Sequence, residues 1–482
     1  MPDAIAPLAD TVTASLDLTT LLALGWLLYL VVLGGWIVLQ KREPVATLSW
    51  LLGLALLPYV GFLIYHVFGP QKIKRHRLRR ANSRSQLDAS HDAFGGHADA
   101  RELARLGQAA SGLAPSVARE VRLLVDGGEK YEALLDDIRA ARKHVHLEYY
   151  IYHCDEIGTA LCEALTERAR AGVRVRLLVD AVGAARARRV FRSLLDAGGE
   201  IAWFHPARFG RIWQRPRINL RTHRKIVVID GRIAYTGGIN ISDEQDNRSR
   251  DDAFRDLHVR LEGDVVRPLQ RVFTEDWIYA SGQRDCLKEI ADQTPHAQPP
   301  GDIASQVVVS GPDSDWEAIH RVQVGAIHAA RRRVWLATPY FVPGEAARMA
   351  LTSAALAGLD VRVLLPKRSD SVLVTNAARS YFDELIAAGV HIHEYGPRML
   401  HTKALLIDDA ISIFGSANFD HRSFRLNFEV AVMFDDRDVA ARLEQHLQGE
   451  FADAPEVEPV AKRPLFTYRL PEAMARLLSP LL

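Results

Sequence analysis

The chain has 482 residues, 48% of them hydrophobic and 25% charged, with a formal net charge of +1. At roughly 100–200 residues per domain that length gives about two to four domains, enough core to need no disulfide or metal staple. Three cysteines, Cys154, Cys162 and Cys286, lack CxxC or CxxH spacing, which excludes a disulfide scaffold and a cysteine-rich zinc site and fits a reducing compartment.

The N-terminus is apolar. Leu18 to Gln40 is 23 residues without a charge, and Pro44 to Gln71 is 28 more. A bilayer core needs about 20 apolar residues in a helix, so both runs are long enough to span. The link Lys41-Arg42-Glu43-Pro44 is short, so a two-helix transmembrane hairpin is expected within 1–71, with spans near 18–40 and 45–68. Pro58 kinks the second, which keeps a re-entrant hairpin open. A cleaved signal peptide is disfavoured, because the first 40 residues contain Asp3, Asp10 and Asp17 but no Lys or Arg. Lys72, Lys74, Arg75, Arg77, Arg79 and Arg80 then form a basic collar within a linker to 117. Positive charge beside a membrane helix marks the cytoplasmic side and attracts anionic headgroups. The expected topology is multi-pass, with the remainder of the chain cytoplasmic and held against the inner face of the membrane.

From Val121 helices alternate with short β-rich runs. Strands are expected over 122–126, 144–152 and 173–179, and helices over 131–142 and 157–171. The order returns with helices over 316–331 and 344–357 and strands over 333–341 and 361–365. The expected fold is α/β: two similar lobes, 118–283 and 304–456, related by pseudo-two-fold symmetry. A connector, 284–303, joins them, and a tail, 457–482, follows. A short helix is expected in the tail, packed on the lobes.

Each lobe carries the same chemical string. The first has His223, Lys225 and Asp230, then Gly237-Gly238-Ile-Asn240; the second has His401, Lys403 and Asp408, then Gly415-Ser416-Ala-Asn418. Every matched pair is 178 positions apart. His and Lys at i and i+2 share one face of a strand. Two such strands across a cleft supply two imidazoles, two ammonium groups and two amides, a set that fits one phosphodiester. The Asp at the strand end orients neighbours rather than reacting. A metal site is disfavoured by the Lys beside each His. His144, His146, His391 and His393 also have strand spacing but no acidic cluster nearby, and are read as structural.

The paired HxKxxxxD motifs resemble the phospholipase D superfamily from about residue 120 onward. With the hydrophobic hairpin and collar, the chain is similar to bacterial cardiolipin synthases of the membrane-anchored type. The resemblance implies a phosphatidyltransferase needing no cofactor. It joins two phosphatidylglycerol molecules into cardiolipin and glycerol through a phosphohistidine, with His223 as nucleophile and His401 as general acid/base. It also implies a downstream carboxylate supporting each His: Glu429 for His401 and Asp256 for His223. Those two lie 173 positions apart, so five extra residues are expected in the Asp243–Asp252 loop.

Charge arithmetic separates the substrates. Residues 1–71 sum to −2, the collar to +6, and residues 81–482 to −3. A mildly acidic catalytic part disfavours a nuclease, since nucleic-acid affinity rests on many Lys/Arg–phosphate contacts. Eleven bases between Ala184 and Lys225 stand among Trp203, Phe204, Phe209 and Trp213. Arg215, Arg217 and Arg221 are candidates for headgroup contact. The expected partners are phosphatidylglycerol and other anionic membrane lipids, with no nucleic acid; a homo-oligomer is left open. A hydrolase releasing phosphatidic acid and a non-catalytic lipid-binding protein are the competing readings.

Overall fold

The computed structural model describes residues 18–39, 44–57, 60–69, 94, 98–205, 219–287, 301–459 and 464–479. The chain separates into two compact units: Met1–Gln71 with Phe209–Asn219, and Lys72–Arg208 with Leu220–Leu482. The basic collar, Arg215 and Arg217 lie outside the described residues.

In the first unit, α1 (Leu18–Leu39) is followed by α2 (Pro44–Leu56) and α3 (Val60–Phe68). Among the described residues one helix, Thr19–Leu39, is long and apolar enough to cross a membrane. Its Leu28, Val31 and Val32 side chains are exposed, as suits a lipid environment. Ile37, Leu54 and Tyr65 form a small core, with Tyr65 edge-on to both Trp36 and Trp50. The second expected span is not one helix. It is two, of 13 and 9 residues, with Pro58 between them. Proline has no N–H to donate, and neither piece reaches spanning length. Among the described residues the structure thus supports one spanning-length helix of the expected two-span hairpin.

The second unit is built on one 14-stranded sheet. The first lobe contributes β1 (Ser116–Val125), β2 (His144–Tyr149), β3 (Arg174–Asp180), β4 (Glu200–Phe204), β5 (Ile226–Ile229), β6 (Ile233–Gly237) and β7 (Leu257–Gly263). The second contributes β8 (Ile303–Ser310), β9 (Arg333–Ala337), β11 (Asp360–Pro366), β12 (His391–Tyr395), β13 (Ala404–Ile407), β14 (Ile411–Gly415) and β16 (Glu429–Asp435). Two short strands, β10 (Phe341–Val342) and β15 (Phe419–Asp420), pair separately.

The order is β12-β11-β9-β13-β14-β16-β8-β1-β7-β6-β5-β2-β3-β4. Read outward from the β8–β1 seam, both lobes run through corresponding strands. The outer three of each are parallel, β2-β3-β4 and β9-β11-β12, and the inner ones antiparallel. Parallel strands need a crossover, which the helices Glu156–Arg170 and Glu345–Leu356 supply. The central strand of each parallel set, β3 or β11, is mostly buried and rich in Val and Leu, whereas β2 and β12 alternate His or Glu with apolar residues. Apolar clusters fill each lobe, and a third joins them, packing Val259 and Leu261 of the first lobe with Val307, Val432 and Phe434 of the second.

The motif aspartates lie at the far ends of their strands. Asp230 (φ 54) accepts the backbone N–H groups of Arg142, Lys143 and His144 at 2.9, 2.7 and 2.9 Å. Asp408 (φ 51) accepts those of Arg331, Arg332 and Arg333 at 2.9, 2.8 and 3.0 Å. Each clasps the start of the neighbouring strand, β2 or β9. Both carboxylates hold the scaffold.

Candidate active site

Each His-x-Lys segment enters its strand from the seam side, where it meets the other lobe. The His223 N–H donates to the Phe428 carbonyl at 2.9 Å, and Phe428 N–H to the Arg221 carbonyl at 2.9 Å. Across the seam, His401 N–H donates to Arg255 O at 2.6 Å, and Arg255 N–H to Met399 O at 2.8 Å. Each ladder ends one residue before a carboxylate, so the supporting acids are exchanged between lobes. His223 Nδ1 lies 3.1 Å from Glu429 Oε2 and 3.1 Å from the Ser416 carbonyl. His401 Nδ1 lies 2.5 Å from Asp256 Oδ2. The same-lobe pairing expected for these acids is corrected: Glu429 serves His223, and Asp256 serves His401.

A ring proton on Nδ1, held by a carboxylate, leaves Nε2 as a bare lone pair, the state a nucleophile or base requires. Burial pushes the His223 imidazole below its ordinary value despite Glu429 beside it. Burial and then Lys403 push His401 down to about 4. Burial alone would raise the Glu429 carboxyl, but His223 and Lys225 beside it hold it below the usual range. Burial also lowers the ammonium groups, Lys225 to about 7 and Lys403 to about 8. Lys225 Nζ donates to the His223 carbonyl at 2.7 Å, and Lys403 Nζ lies 3.0 Å from His401 Nδ1. The Glu429 and Asp256 carboxylates oppose that lowering at both ammonium groups.

The half-sites differ in how they hold the acid. At Gly238 a Cβ would lie 2.2 Å from Asp256 Oδ1, so only glycine leaves room for that carboxylate. The matching position in the other lobe is Ser416, whose hydroxyl donates to Glu429. Asn427 Nδ2 adds a donor to Glu429 at 3.3 Å.

His223 and His401 open into one cavity of about 460 Å³, which Asn240 and Asn418 also line. Asn240 Oδ1 accepts the Ile151 N–H at 3.3 Å, which fixes the amide plane. Asn418 Oδ1 is buried without a hydrogen-bond partner. The extra residues of the first lobe form one wall, with Glu244, Gln245, Arg250 and Asp252 facing the cavity. Tyr150, Tyr340, Asp370, Asp420 and Arg422 complete it and were not foreseen. Asp420 and Arg422 follow the second-lobe Asn by two and four positions; that proximity was their only signal. Burial lifts the Asp420 carboxyl to about 6.

Arg221, expected at the headgroup, is instead buried away from the cavity, with Nη1 3.2 Å from Asp180 Oδ1. A long basic side chain near the motif looks like a ligand contact until a buried acid opposite it is known. The other histidines are structural, as expected. His144 and His146 bond to Gln270 at 3.2 and 2.8 Å, His391 to Glu456 at 2.7 Å, and His393 to the Ala454 carbonyl at 3.0 Å.

A family model described as "Cardiolipin synthase, PLD-like domain" matches residues 134–277 and 324–450. The chain belongs to the cardiolipin synthase family of the phospholipase D superfamily. A second model, "Phospholipase_D-nuclease N-terminal", matches residues 26–70. Cardiolipin synthase 2 of Bacillus anthracis is 38% identical over 462 residues, covering 92% of this chain and 88% of that one. Cardiolipin synthase of Geobacillus sp. (strain WCH70) is 38% identical over 460 residues, covering 92% and 90%. The solved structure of phosphatidylserine synthase from Haemophilus influenzae Rd KW20 shares the fold, with a TM-score of 0.61 at 14% identity over 79% of this chain and all of that one.

Proposed function

We propose that the cavity moves a phosphatidyl group from one phosphatidylglycerol to the hydroxyl of another, giving cardiolipin and glycerol. The observation that carries this is the pair of buried His–carboxylate dyads opening into one cavity, each with a buried Lys two residues on in its strand segment. By the family resemblance His223 is the nucleophile. Its Nε2 attacks phosphorus, the bond to the glycerol oxygen breaks, and His401 delivers a proton to that oxygen. His401 then takes the proton from the hydroxyl of a second phosphatidylglycerol, which attacks phosphorus and releases His223. The bound phosphodiester raises the pKa of His401 from its empty-cavity value, so the ring can serve as acid in the first step. Lys225, Lys403, Asn240 and Asn418 stabilise the charge on the non-bridging oxygens. One phosphodiester replaces another, so no further energy source is needed.

Glu244, Asp252, Asp370 and Asp420 on the cavity wall favour a substrate with a single anionic group and a hydroxylated headgroup over a polyanionic strand. The parallel strand order of the lobes supports their pseudo-two-fold relation. The apolar helix Thr19–Leu39 and the basic collar support a membrane-held enzyme with its lobes on the cytoplasmic face. The test is purified full-length protein with phosphatidylglycerol alone in mixed micelles, products read by mass spectrometry. Cardiolipin with equimolar glycerol is expected; phosphatidic acid alone would overturn the transferase in favour of a hydrolase.

A further inference from the structure

A helix that turns its large apolar side chains away from the protein it packs on needs another apolar surrounding. The tail does this. Its helix Leu470–Leu477 lies against the helix Val372–Arg379 of the second lobe. The inward side is small or polar: Glu472, Ala475 and Ser479 are buried, and Tyr381 Oη is 3.0 Å from Ser479 Oγ. Arg476 ties the helix down by donating to the Ser380 carbonyl at 3.1 Å. Leu470, Met474 and Leu477, at i, i+4 and i+7, are 45, 56 and 74% exposed, and Phe466 on the preceding turn is 79% exposed. Val372, 77% exposed on the helix beneath, extends the patch.

Three features identify what covers it. The chain carries a helix of bilayer-spanning length, so a bilayer is within reach. The chain beneath the patch runs directly into the catalytic cavity's lining: Asp370, two residues before Val372, lines that cavity and accepts the Tyr340 hydroxyl at 2.8 Å. Exposed Arg469 lies within the tail segment itself, and exposed Lys367 and Arg368 stand five and four residues before Val372 in sequence; these bases complement anionic headgroups. We propose that residues 464–479, with Val372, form a second bilayer contact that sits in the interface of an anionic membrane and presents the cavity mouth to the headgroups. This rests on the reading of the cavity as acting on phospholipid.

The test uses the full-length chain carrying Cys154→Ser, since Cys162 and Cys286 are buried. An environment-sensitive fluorophore is placed at Met474→Cys, or for comparison at Gln448→Cys, exposed on the helix Arg437–Ala452. Each protein is reconstituted in phosphatidylethanolamine–phosphatidylglycerol vesicles with spin-labelled lipid. Blue-shifted emission and strong quenching are expected at 474 and not at 448. Equal quenching at the two positions would overturn the proposal. So would a blue shift at 474 that persists in detergent and is untouched by the quencher, which would mean a second copy covers the patch. In parallel, Phe466→Ser with Leu477→Ser should raise the KM for bilayer phosphatidylglycerol about fivefold and leave turnover of a dispersed short-chain analogue unchanged. If no variant makes cardiolipin from either substrate, the catalytic reading fails while the quenching result still stands.

Discussion

The two half-sites use the same His and Lys but hold their acids differently. In one, a glycine makes room for a short carboxylate, Asp256, pressed against His401. In the other, a longer carboxylate, Glu429, reaches His223 and also accepts from Ser416 and Asn427. The first carboxylate is otherwise held by one backbone donor, the Leu257 N–H at 2.7 Å, the second by two side-chain donors. Because each acid comes from the opposite lobe, neither lobe alone contains a complete dyad. The duplication is thus not two sites side by side but two halves, each finishing the other.

The sharpest way to break this comparison is to remove one acid at a time. Glu429→Gln should disable His223, and Asp256→Asn should disable His401, each lowering kcat by about 10²–10⁴ through loss of the correct tautomer. Trapping of a phosphohistidine should be lost in Glu429→Gln, whereas Asp256→Asn should still form it with a donor whose leaving group needs no proton. The opposite pattern would restore same-lobe pairing or reverse the roles of the two histidines.

A smaller effect distinguishes the two acid holders. Gly238→Ala should displace the Asp256 carboxylate and cost about 10² in kcat, because the added methyl meets its oxygens. Ser416→Ala removes one hydrogen bond of several and should cost only about tenfold, near 1.4 kcal/mol. Equal losses would mean that the side-chain network around Glu429 is no sturdier than the glycine-spaced packing at Asp256.

The mildest perturbation is pH. Lys225 and Lys403 in the empty cavity are lowered by burial to about 7 and about 8. As pH rises through these values the ammonium charges that attract the phosphodiester are lost, so kcat/KM should fall on the alkaline side from pH 7 to 8. A bound phosphodiester raises both values, so kcat should hold to higher pH. Matching pH profiles for the two parameters would contradict this.

The repeated motif, the strand periodicity and the alternation of helix and strand were all readable in the residues, because each depends on local spacing. The crossing of the acids was not. It depends on which backbone the His223 segment lies beside, and the contact with Phe428 spans the two lobes. The role of Asp230 and Asp408 follows from a turn with positive φ that lets one carboxylate collect three N–H groups. Counting apolar residues does not show how a run is divided: the second uncharged run carries two short helices, one on each side of Pro58 in sequence. Arg221 was misplaced because its partner, Asp180, is 41 positions away in sequence.

The strand β1 pairs with β8 through Ser116, Val117 and Ala118, so the sheet continues from one lobe into the other without a break. A continuous sheet with a shared apolar layer has no hinge about which the lobes could open. On the proposed mechanism the two imidazoles are expected to keep their separation through both displacements, the cavity acting as a notch rather than a jaw. Glycerol must leave, and the next headgroup arrive, past an unmoving rim. Turnover then follows how quickly lipids trade places at that rim, a property of membrane fluidity more than of protein motion.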